Sequence, residues 1–261
     1  MARAKAAARE VTLATVLAAL KRAGTAKHVD GYARYGIVAG KAFGVPMGEI
    51  QKLAKGYGKS HALAAKLWAS GWYEARMLAA YVEEVEKVTA AQMDAWCGDF
   101  ADWSVCDTVC FSLFDRTPFA FAKIKQWHTR DEELVKRAAF ALLASVALHS
   151  KEDVDTELVR CLPYCEAAAT DKRNFVKKGV SWAVRTIGTR NTAMHAAAMR
   201  LGVKLAASSE AAPRWIGKDI VKDLERPLVA KRIAARDAKL TSQKTSSRPA
   251  RRTAAAPRPR R

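Results

Sequence analysis

The chain has 261 residues, 50% of them hydrophobic, and carries 45 basic against 26 acidic residues for a net charge of +19. That length and apolar content suffice for one substantial core, while no stretch approaches the ~18 consecutive apolar residues of a membrane-spanning helix. Five cysteines with no CxxC pair match neither a secreted disulfide framework nor a zinc knuckle.

In chain order, Met1–Arg9 is basic, and the apolar run that follows opens after Glu10, is interrupted by threonines and closes on Lys21-Arg22. This is the pattern of an amphipathic first helix and not of an export signal, so a cytoplasmic location (on the nucleoid, in a bacterium) is expected. Beyond it, apolar residues recur at three and four, and sustained period-2 alternation is missing. The spacing predicts helices over 10–23, 31–43, 46–57, 60–70, 72–87, 90–99, 102–114, 118–128, 131–149, 153–168, 171–187, 190–206, 209–225 and 227–239. Ser60, Asp102, Asp131, Asp153 and Asp171 stand where N-caps belong, Pro46 and Pro118 suit first turns, and Gly58, Gly71 and Gly188 suit stops. Helices of this length joined by short turns, with pairs repeating every 35–40 residues or so, predict an all-α fold, an α-solenoid of HEAT-like repeats over residues 1–240. Residues 241–261, rich in Arg, Pro, Ala and Ser, lack an apolar face and read as a disordered basic tail.

The charge is not confined to that tail. Lys244, Arg248, Arg251, Arg252, Arg258, Arg260 and Arg261 are the seven basic residues of the last 22, which hold no acid, so 38 basic residues still face 26 acidic ones in the remainder, a net +12. A folded body this basic repels itself, and a polyanionic partner is the usual reason for it. Nucleic acid is favoured over an anionic membrane surface, because no helix joins a strong apolar face to aromatic anchors.

Against this background the informative residues are those that break the pattern of their helix. On 102–114, Asp107 has Trp103, Cys110 and Phe111 at helical spacing, which puts a carboxylate on an aromatic face. It is either a buried structural acid or a partly desolvated anion with a strong field. On 131–149, Arg137 lies at the edge of an apolar stripe and needs an anionic partner, whether an acidic side chain or a phosphate. On 171–187, Trp182 has Lys178, Gly179, Arg185 and Thr186 on its face. A Trp there suits a sugar or base, with cations beside it for phosphates; the alternative is an indole lying under aliphatic stems. Cys106/Cys110 and Cys161/Cys165, each four apart, read as core thiols and not as metal ligands. Walker, HExxH, GxSxG and GxGxxG motifs do not occur, and the five histidines are scattered.

These same residues carry a resemblance. Ala33-Arg34-Tyr35 followed by Phe43-Gly44-Val45-Pro46, the stretch Ala64–Ala80 with Leu67-Trp68 and Glu74-Ala75-Arg76, Trp103-x-x-x-Asp107, Lys136-Arg137-Ala138-Ala139, and Phe175-Val-Lys-Lys-Gly-Val-Ser-Trp182-Ala-Val-Arg185 are similar to motifs of the DNA alkylation repair family of AlkD type. The resemblance covers about Tyr32 to Leu224 and departs around Trp103, where the family often has another aromatic or small polar residue and this chain has Asp102 before it and Val105-Cys106 after it, at Val184, where the family more often has Leu, and in the basic tail. It implies a monofunctional glycosylase that hydrolyses the N-glycosidic bond of cationic N3- or N7-alkylated purines in duplex DNA without enclosing the base in a pocket. Asp107 would be catalytic. Trp103 and Trp182 would line the lesion site, Arg137 would grip a phosphate or hold Asp107, and Arg185 would contact the backbone, with Tyr35 and Lys178 completing the DNA-binding set on a concave basic face. No cofactor, metal or obligate protein partner is expected, and a monomer is. The alternative is a non-catalytic HEAT-like module that binds damaged or branched DNA; a protein-binding scaffold sits poorly with the charge.

Overall fold

The computed structural model describes residues 11–246, with side chains through residue 238. Among these residues the chain forms fourteen α-helices and no strand: α1 (Leu13–Ala23), α2 (Ala26–Tyr32), α3 (Met47–Tyr57), α4 (His61–Ala69), α5 (Tyr73–Val82), α6 (Ala90–Gly98), α7 (Trp103–Ser112), α8 (Ala120–Trp127), α9 (Glu133–His149), α10 (Asp155–Ala168), α11 (Asn174–Gly188), α12 (Thr192–Ala206), α13 (Ala211–Leu224) and α14 (Pro227–Ser246). Apart from the last helix, which runs past residue 239 to Ser246, the expected helices are present within a few residues of their ends, with one exception. The expected start of the first helix at residue 10 lies outside the described residues. So does all of the expected tail beyond Ser246, while its first six positions continue α14 instead of breaking it.

The exception is 31–43. A short helix occupies Ala26–Tyr32, and residues 36–46 form a loop. Gly36 (φ 68°) and Gly44 (φ 76°) adopt left-handed backbone that an L side chain resists, and a Cβ on Gly44 would lie 2.1 Å from the Thr25 carbonyl oxygen. The loop is organised by Glu74 of α5, which is fully buried. Its carboxylate accepts from the backbone N–H groups of Phe43 (2.9 Å), Gly44 (2.6 Å) and Val45 (3.2 Å), and from the Tyr32 hydroxyl (3.0 Å). Phe43 also stacks on Trp72, 3.8 Å between ring centroids. A helix-like spacing of apolar residues thus becomes a loop folded around one buried anion.

Helix starts follow the side chains that cap them. Ser60 accepts from Leu63 N, and Asp102 accepts from Ser104 N (2.8 Å) and Val105 N (3.1 Å), as their positions require. Asp131, Asp153 and Asp171 do not cap: the cap positions are Glu132, Val154 and Arg173. Asp171 instead accepts from Arg173 and from Lys136 of α9, tying the start of α11 to α9. Gly58 and Gly71 do terminate helices in left-handed φ. Gly188 has another reason: it ends α11 against Leu224, whose methyls would lie 2.8 Å from a Cβ.

Helices α3, α5, α7, α9, α11 and α13 pack each on the next and make one continuous row. The alternate helices α4, α8, α10 and α12 lie along its flank, each against the row helix that follows it. This is the α-solenoid the spacing predicts. One contiguous core runs between the layers, from Val16 to Ile233, and holds all five cysteines as free buried thiols. Cys106 and Cys110 donate to the Leu134 and Ala138 carbonyls of α9, which accounts for their four-residue spacing.

Candidate functional site

Each helix of the row from α7 onward contributes its informative side chain to one neighbourhood. The Asp102 cap fixes the start of α7, so Trp103 is its first residue and Asp107 follows one turn later on the same side. Arg137 projects from α9, which packs against α11 at Gly179; a Cβ added there would only touch Phe140 (3.4 Å) and the Arg137 stem (3.6 Å) at ordinary van der Waals distance. Nε of Arg137 donates to Oδ1 of Asp107 (2.9 Å), Nη2 to Oδ2 (2.7 Å), and Nη1 to the Phe175 carbonyl (2.7 Å). Its guanidinium also lies 5.8 Å from the centre of the Trp103 ring and 5.9 Å from that of Phe175. The Arg137 side chain is 7% exposed and that of Asp107 19%. Of the two roles open to Arg137, the geometry favours holding Asp107, since all three of its nitrogens are engaged within the protein.

Burial raises the Asp107 carboxyl above the ordinary carboxylate range; Arg137 pulls it back down, and Asp102 adds a small upward push. The Arg137 guanidinium is driven the other way by desolvation, but Asp107 holds it in its charged form. The side-on fork, with each Asp107 oxygen accepting from one guanidinium N–H, is the arrangement of an Arg–carboxylate ion pair. A buried pair of this kind contributes little net stability, but it fixes the carboxylate in place.

The exposed side of Asp107 opens on a cavity of about 430 Å³ lined by Asp107, Arg137, Lys178, Trp182, Arg185, Trp215 and Asp219. Five of the expected site residues therefore meet. Trp103 adjoins them through Arg137 instead of lining the cavity, and its indole N–H donates to the Tyr35 carbonyl (2.9 Å). The Tyr35 side chain does not join them; it is 64% exposed, and its contribution is that carbonyl. Arg185 is flanked by Asp219 (3.6 Å) and Asp223 (3.7 Å), both beyond hydrogen-bonding distance, and its buried Nε has no hydrogen-bond acceptor. It is a cation loosely held among carboxylates at the cavity wall.

Two lining residues, Trp215 and Asp219 of α13, are not among those the sequence singles out. The signal is present: Trp215 has Lys218 and Asp219 at three and four, the same indole-on-a-charged-face anomaly as Trp182. Asp219 accepts from the Ser181 hydroxyl (2.5 Å), which tethers α13 to α11 at the cavity.

A family model described as DNA alkylation repair enzyme matches residues 16–219. A solved structure, described as a new family of proteins related to the HEAT-like repeat DNA glycosylases with affinity for branched DNA structures, superposes with a TM-score of 0.73 at 16% identity, covering 85% of this chain and 96% of that one. At that identity the likeness establishes the HEAT-like fold. No curated protein sequence matches the chain.

Proposed function

The chain belongs to the DNA alkylation repair enzyme family, and from that premise we propose that it is a monofunctional DNA glycosylase, with Asp107 as its catalytic group. The substrate class is a purine alkylated at N3 or N7 in duplex DNA. Alkylation makes the base cationic, so when the C1′–N bond breaks the bonding pair leaves with a base that departs neutral, and little acid assistance is needed. The demand falls on the sugar, which becomes oxocarbenium-like. A carboxylate near C1′ stabilises that charge, as in glycoside hydrolysis without a strong general acid. Water then bonds to C1′ and gives up its proton, leaving an abasic site. The observation that carries this reading is the Asp107 carboxylate, fixed by the Arg137 fork yet exposed on a cavity walled by Trp182.

In this reading Trp182 packs on the deoxyribose, and Trp103 backs the Arg137–Asp107 pair. Arg185, whose Nε lacks an acceptor, and exposed Lys178 take phosphate oxygens. The cavity is a shallow union of helix faces with two charged pairs in its walls, which suits a sugar edge better than an enclosed base.

A second reading has one observation in its favour. Arg137 neutralises much of the Asp107 field, as it would in a DNA-binding module where the acid is only structural. Incubating the purified protein with DNA containing 7-methylguanine and identifying the products separates the two. Free 7-methylguanine and abasic sites are expected; binding without any released base would leave the module.

A further inference from the structure

Trp215 is 42% exposed, too open for its indole to be explained by the core. It is also the shared wall of two cavities. On one side lies the 430 Å³ cavity of Asp107 and Trp182. On the other is a cavity of about 580 Å³ lined by Lys172, Lys177, Glu210, Ala211, Ala212 and Trp215. Consecutive lysines of α11 divide between them, Lys178 lining the first and Lys177 the second. The Lys177 ammonium sits 5.3 Å from the centre of the Trp215 ring. The second cavity thus sets two ammoniums against one carboxylate, between the start of α11 and the first turn of α13.

We propose that this second cavity is a nucleotide subsite, taking the residue next to the damaged one on the same strand. Its phosphate is held by Lys172 and Lys177, and its sugar or base face lies on Trp215. The inference rests on reading the Asp107 cavity as a deoxynucleotide site. Neighbouring nucleotides of one strand then straddle the Trp215 indole, with one lysine of the Lys177-Lys178 pair serving each. A flat apolar ring beside cations is the combination that holds a nucleotide irrespective of its sequence. In this arrangement Trp215 is a positioning residue, registering the strand so that the damaged sugar faces Asp107.

The test is binding, not turnover, on a short duplex carrying one tetrahydrofuran abasic analogue, titrated over a range of salt concentrations. Trp215→Ala should weaken binding about ten-fold, within the range of one base–aromatic stack, and leave the salt slope unchanged. Trp215→Phe should keep most of the affinity. Lys172→Ala combined with Lys177→Ala should lower the slope of log affinity against log salt by roughly 0.9 for each phosphate that is no longer neutralised. Should Trp215→Ala unfold the protein, the Phe and lysine variants decide the question. Wild-type affinity for Trp215→Ala at every salt concentration, or an unchanged slope in the lysine variant, overturns the proposal. The probe has no base to release, so these outcomes are independent of whether the protein excises 7-methylguanine.

Discussion

Asp107 is subject to two opposed influences: burial lifts its carboxyl, and the Arg137 fork lowers it. Since the proposed chemistry needs the anion, base release should fall away on acidification, with its midpoint above the ordinary carboxylate range. Removing Arg137 removes the downward pull, so in Arg137→Met the acid limb of the single-turnover pH profile should move to higher pH. A limb that stays in place would mean that another group controls it. Much of this site is legible in the sequence, because an acid on an aromatic face, an arginine on an apolar one and a Trp among cations each violate the pattern of their helix. What the sequence withholds is pairing. That Arg137 spends all three nitrogens on Asp107 and Phe175 depends on how closely α9, α7 and α11 approach, and helix spacing does not encode that. Trp215 and Asp219 show the same kind of anomaly; what ties them to the site is the packing of α13 on α11.

At the scale of elements, the helices are readable because their apolar periodicity is sustained, with Ser60 and Asp102 capping where expected; the caps expected at Asp131, Asp153 and Asp171 fall one or two residues early. The 36–46 loop is not readable, because its determinant lies some thirty residues away, at Glu74. Glu74 supplies the acceptors that the loop N–H groups lack, and the loop follows directly on the Tyr35 carbonyl that accepts from the Trp103 indole. Glu74→Gln replaces a buried acceptor with a group that must also donate, against a cluster of N–H donors. It should cost roughly 3 kcal/mol and lower the melting temperature by about 6–12 °C. Limited proteolysis should find new cuts within 36–46. An unchanged melting temperature and cleavage pattern would show that the loop is held by its apolar contacts alone, chiefly Phe43 on Trp72.

For the molecule as a whole, the row of helices from α3 to α13 explains how residues as distant in sequence as Asp107 and Asp219 come to share one cavity: each repeat adds a helix face beside the last. The net charge of +12 outside the last 22 residues fits a body that works against a polyanion. Whether a carboxylate pinned by a guanidinium still serves the chemistry is the central question. The most direct measurement compares wild type and Asp107→Asn in single-turnover release of 7-methylguanine, with affinity for the same duplex measured in parallel. A rate lower by at least ~100-fold, as for loss of a preorganised charge, with affinity largely retained, is the predicted result. Equal rates in the two proteins would contradict it.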